Sequence, residues 1–209
     1  LLAAAFGQAT SSASSDAILL GGVLGGAPEL KTAFPTSEFA KRLKMVARMI
    51  SVASTLGLKR QIFFVQLIGW DLHGGQVNGH GPLLTDLSRA LMSFYDATTE
   101  LGVANQVTTF TASDFGRTYT PNASGTDHGW GNHQLIMGGA VQGGEIYGKM
   151  PSLTVGADDD TGRGRWIPTT SVDEYNATLA TWFGVSQSSL ATVLPNIGRF
   201  AKPNLGFLG

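Results

Sequence analysis

Cysteine is absent from the 209 residues. That excludes disulfides, thiolate metal sites and a cysteine nucleophile. Charge is scarce: Asp, Glu, Lys and Arg make up 14%, against about 25% in ordinary globular chains. Neither sign dominates, with 14 basic and 15 acidic side chains. A nucleic-acid binder would show a basic stripe, and a membrane-surface protein a polybasic cluster; neither is present. No run of 18 apolar residues occurs, so no transmembrane helix is expected. Glycine, by contrast, is abundant at 28 residues, which predicts many loops. Weak charge with much Gly, Ser and Thr leans towards an exported protein.

The chain begins Leu1-Leu2-Ala3, without a basic leader, and reads as a C-terminal piece of a longer protein. Residues 1–33 form a low-complexity Ala/Gly/Ser-rich segment, and residues 34–209 the folded domain. Within it, Ser37 caps a helix with an apolar stripe at Phe39, Leu43, Val46 and Ile50. Ile62 to Ile68 is a continuous apolar run, the pattern of a strand covered on both faces. Pro82 marks a helix start, and Gly102 the end of that helix. Val107 to Ala112 and Gln134 to Met137 read as further strands. Ser171 to Glu174 is a capping box that opens a helix closed by Gly184, and Ser186 caps a short helix to Val193. This alternation predicts an α/β fold with a mainly parallel sheet and flanking helices.

Ligands of parallel sheets gather at the carboxyl ends of strands. The run Ile62 to Ile68 leads into Asp71-Leu72-His73-Gly74-Gly75, and Val107 to Ala112 into Ser113-Asp114-Phe115-Gly116-Arg117. Asp127-His128-Gly129 follows in the next loop. Carboxylates and imidazoles converging from separate loops can bind a divalent cation, and the glycines leave room for it. Asp71, His73, Asp114, Asp127 and His128 are therefore the candidate metal ligands. Arg117 is the candidate catalytic residue, placed either to bind an anion or to brace Asp114. Asp158-Asp159-Asp160 lacks the spaced ligands of an EF-hand and reads as a turn.

These motifs, with Arg60-Gln61-Ile62-Phe63-Phe64, Gly138-Gly139-Ala140-Val141-Gln142-Gly143-Gly144 and Pro168-Thr169-Thr170-Ser171-Val172, carry a resemblance. Phe34 to Phe207 resembles the C-terminal half of the bacterial family called domain of unknown function 1501. That family looks like a branch of the alkaline-phosphatase-like superfamily. The resemblance implies a metal-dependent hydrolase fold, incomplete at the N-terminus, and a periplasmic or extracellular location. It implies a divalent metal (zinc, calcium or magnesium) on Asp71, His73 and His128, with Asp114 or the pair Asp127-His128 serving a second. It implies an anionic small-molecule or polysaccharide ester as substrate. The superfamily's nucleophile lies on an N-terminal strand with no counterpart here, so that part of the protein, or another chain, is the expected partner beside Ile62 to Ile68. The rival reading is a non-catalytic cell-surface or assembly protein.

Overall fold

The computed structural model describes residues 2–209. The chain divides into two compact units. One runs up to Leu67 and takes back Asp86–Gly102; the other comprises Ile68–Thr85 and Val103–Gly209.

In the first unit, helix α1 spans Leu2–Gly26 and helix α2 Glu38–Ser51. The Oγ of Ser37 caps α2 by accepting the Ala40 N–H at 3.1 Å. The buried face of α2 is Phe39, Ala40, Leu43 and Ala47; of the expected stripe, Phe39 and Leu43 are buried, while Val46 and Ile50 are half-buried. Helix α3 spans Gln76–Glu100, with residues 86–100 in this unit. It buries Ala90, Phe94, Ala97 and Thr98. Two polar ties hold the unit: Ser37 donates to Asp86 Oδ1 at 2.6 Å, and the Glu100 carboxylate accepts the N–H groups of Lys31 and Thr32, both at 2.8 Å. Pro82 lies inside α3 rather than at its start. The helix begins six residues earlier, at Gln76, after Gly75 has turned the chain with φ +63°.

The expected parallel sheet is overturned. The described residues contain two two-stranded antiparallel sheets. Strand β1 (Thr108–Phe110) pairs with β4 (Ile136–Gly138), and β2 (Gly116–Asn122) pairs with β3 (Gly125–Gly129). The run Ile62 to Ile68 belongs to no strand. Its composition suits a strand, but a strand exists only with a hydrogen-bonding partner, and no segment is paired with it among the described residues. Its side chains alternate instead: Ile62, Phe64 and Ile68 are 78%, 89% and 72% exposed, while Phe63, Val65 and Leu67 are half-buried.

The second unit also holds α4 (Val172–Phe183) and the short α5 (Leu190–Val193). The capping box is formed: Ser171 Oγ accepts the Glu174 N–H, and the Glu174 carboxylate accepts the Ser171 N–H, both at 3.0 Å. Gly184 ends α4 at φ +108°, a conformation that favours glycine. Ser186 turns its hydroxyl to Ser189 Oγ at 2.8 Å and leaves the next turn without a side-chain cap. Ala177, Leu190 and Ile197 form the local core, with Val185, Leu194 and Phe200 packed on it. Phe207 is fully buried against the rings of Tyr147 and Tyr175.

Candidate metal centre

The site is built on the β2–β3 hairpin and on the segment before α3, all within the second unit. Asp71 sits at the centre of a tight turn, with the Leu72 N–H donating to the Trp70 carbonyl at 3.0 Å. That turn aims Asp71 and His73 at one point. The segment is then held on the hairpin: Ser124 accepts the Gly75 N–H on Oγ at 3.1 Å and the Gln76 N–H on its carbonyl at 3.0 Å. Gly125 allows the approach. A Cβ there would stand 2.4 Å from the His73 carbonyl carbon.

Three ligand atoms converge. Asp71 Oδ1 lies 2.7 Å from His128 Nε2 and 3.0 Å from His73 Nε2, and the two Nε2 atoms are 3.2 Å apart. Hydrogen bonding alone accounts poorly for this triangle. Each neutral imidazole has one N–H, and two N–H groups aimed at one oxygen from 3.2 Å apart repel each other. A cation at the centre removes the conflict. Metal bonds of about 2.0–2.1 Å place tetrahedral ligand atoms about 3.3 Å apart; the two imidazoles match at 3.2 Å, while Asp71 Oδ1 sits closer to them, at 2.7 and 3.0 Å. The residues present fit a metal. Their side chains are 56%, 51% and 47% exposed for Asp71, His73 and His128, so the centre faces solvent.

Arg117 braces the site. Its guanidinium donates to the carbonyls of Trp70 and Thr126 at 2.7 and 2.8 Å and to Asp71 Oδ1 at 2.9 Å. Its side chain is only 15% exposed, and its centre lies 5.2 Å from the Phe115 ring. It thus grips Asp71, not Asp114; both Nη atoms are committed to the fold, and the buried Nε has no hydrogen-bond partner. Phe115 stacks on His128 with ring centroids 4.3 Å apart and fixes that imidazole from its other side. The His128 contact, then the charges of both imidazoles and the Arg117 bond, hold the Asp71 carboxyl below the usual carboxylate range, against the opposing effect of desolvation.

The expected ligands do not all meet. Asp114 is exposed and lies outside the cluster formed by Asp71, His73 and His128. Asp127 stands behind His73, with Oδ1 3.6 Å from Nδ1, the nitrogen turned away from the cluster. Asp127 approaches the far nitrogen of the His73 ring and His128 the near one, so only His128 joins Asp71 in the cluster. Asn122 and Arg163 both donate to Asp127. The Asn122 bond is the main reason that its carboxyl also lies below the usual range. Reading residues 116–129 as loop missed the hairpin. Its signal was the polar turn Asn122-Ala123-Ser124-Gly125 after Thr118-Tyr119-Thr120. His80 lies in α3, tilted against Trp70 at 5.6 Å, and His133 is exposed.

The family described as Protein of unknown function (DUF1501) matches residues 27–191. The chain belongs to this family. Its match spans every residue of the DUF1501 centre described above. No curated protein and no solved structure matches this DUF1501 chain. No helix among its described residues is long and apolar enough to cross a membrane.

Proposed function

We propose that this DUF1501 chain is part of an exported, metal-dependent hydrolase of anionic esters, with Asp71, His73 and His128 holding one divalent cation. The observation that carries the proposal is the triangle of one carboxylate oxygen and two imidazole nitrogens, all within 4.8 Å. Two nitrogens and one oxygen suit zinc; calcium and magnesium prefer oxygen donors. Three protein ligands on an exposed surface leave a coordination position open, the pattern of catalytic rather than structural zinc. When bound, such a cation polarises a phosphoryl or sulfuryl oxygen and lowers the pKa of a bound water. The chain's own residues set the geometry. Arg117 fixes Asp71, Phe115 fixes His128, and the Ser124 contacts fix the His73 segment. The choice of phosphate or sulfate esters follows the resemblance of these loop motifs to alkaline-phosphatase-like enzymes.

The test is zinc content by mass spectrometry after equilibration, together with turnover of an aryl phosphate and an aryl sulfate. His128→Ala removes a metal bond, so zinc affinity falls by more than the roughly 10–100-fold cost of disturbing a ligand's supporting contacts. His80→Ala retains zinc and turnover. Wild-type protein that takes up no divalent cation overturns the proposal. Zinc without turnover of either ester favours the rival, a non-catalytic cell-surface or assembly protein. The apolar Phe115 ring against His128 is the observation on that side.

A further inference from the structure

We infer that Asp127 is the positioning residue that commits His73 to the metal, rather than a ligand itself; this rests on the metal-site reading above. A neutral imidazole binds a metal through its unprotonated nitrogen and carries its proton on the other. His73 presents Nε2 to Asp71 Oδ1 at 3.0 Å and Nδ1 to Asp127 Oδ1 at 3.6 Å. The carboxylate therefore faces the nitrogen that must hold the proton.

Asp127 is itself aimed from three sides. Asn122 Nδ2 donates to Oδ1, Arg163 Nη1 donates to Oδ2 at 2.8 Å, and the Asp127 N–H donates to Thr118 Oγ1 at 3.2 Å. Arg163 is delivered by a loop that holds it at φ +62°, a conformation uncommon outside glycine. The Asp160 carboxylate maintains that loop by accepting the N–H groups of Gly162, Gly164 and Arg165. The Thr120 N–H ties the Arg163 carbonyl to β2 at 3.1 Å. The arrangement is an outer support for one imidazole, with every element in the same unit.

The experiment compares Asp127→Asn, Asp127→Ala and Arg163→Gln with wild type in the 209-residue chain. Zinc affinity is read by competition with a chromophoric chelator. The His73 Nδ1–H is read by ¹⁵N–¹H NMR in the zinc-loaded protein, where Nε2 is taken by the metal. Wild type is expected to protect that proton from exchange with water. Both Asp127 variants are expected to bind zinc about 10–100-fold more weakly and to exchange the proton faster. Arg163→Gln leaves the carboxylate in place, so it gives a smaller loss and supplies the answer if the Asp127 variants do not fold. Wild-type affinity in the variants overturns the inference. So does weaker binding with unchanged exchange of the His73 Nδ1 proton, because the loss then arises elsewhere in the fold. Wild-type protein that binds no zinc removes the site reading itself; wild type that binds, with variants that bind equally, removes only the role of Asp127.

Discussion

Oδ1 of Asp71 is the point on which the centre turns. It meets His128, His73 and Arg117 within 3.0 Å, so one oxygen organises three cationic or polar partners. Asp160 is its counterpart in the supporting loop, where the N–H groups of Gly156, Gly162, Gly164 and Arg165 surround one carboxylate. The Gly156 bond leads the effects that hold the Asp160 carboxyl below its ordinary range. A carboxylate with a lowered folded pKa stabilises the protein above its unfolded pKa, about 3.9 for Asp, and loses that contribution as pH falls through the folded value. Asp160→Asn is therefore expected to lower Tm at pH 7, with the gap to wild type narrowing below about pH 4. Calorimetry across pH checks this; a gap that stays constant down to strong acid rejects the role given to Asp160. The sequence marked Asp158-Asp159-Asp160 as a turn, which holds. What organises that turn was not legible, because the donors come from glycines whose N–H directions depend on φ.

At the scale of elements, local chemistry was legible and pairing was not. The Ser37 cap and the Ser171–Glu174 box are written within four residues, and both formed as read. The candidate ligands Asp71, His73 and His128 were also legible, from polar residues between glycines. The strand at Ile62 to Ile68 needed a partner that composition does not name, and which nitrogen of His73 each of Asp127 and His128 meets needed the hairpin itself. Two consequences can be measured. Gly125→Ala brings a Cβ within 2.5 Å of the His73 carbonyl oxygen, so the Asp71–His73 segment must move off β3. Zinc affinity is expected to fall at least ~10-fold, on the scale of losing an outer contact, although no ligand is changed; unchanged affinity in a folded variant shows that the approach is dispensable. Phe64→Thr removes an 89% exposed ring. Its effect on the unfolding free energy, read by urea titration, is expected to stay within about 0.5 kcal/mol, while the onset of light scattering moves to higher protein concentration, because an exposed apolar extended segment recruits other chains. A large loss of stability would show that the ring is packed.

For the whole molecule, the centre and its supports lie in the unit formed by Ile68–Thr85 and Val103–Gly209. A ligand that binds only the folded state stabilises it by mass action, about 2.7 kcal/mol at one hundred times its Kd. Zinc is therefore expected to slow amide exchange across the β2–β3 hairpin and the Asp71–Gln76 segment, with no matching change in α2. Protection that rises equally in α2 would mean the two units open as one. The family was legible because its motifs are short local sequences, which survive without knowledge of the sheet; the parallel sheet was inferred from the alternation of helical and strand-like runs and failed. Helix α1 has a further consequence. No lysine or arginine precedes Lys31, and nearly all of α1 from Ala3 is exposed. Trypsin therefore leaves this helix intact on a fragment ending at Lys31, however often it frays. Elastase, which cleaves after small aliphatic residues, finds candidate bonds throughout its Ala- and Ser-rich length. The ratio of the two digestion rates is a direct gauge of how long the helix stays wound.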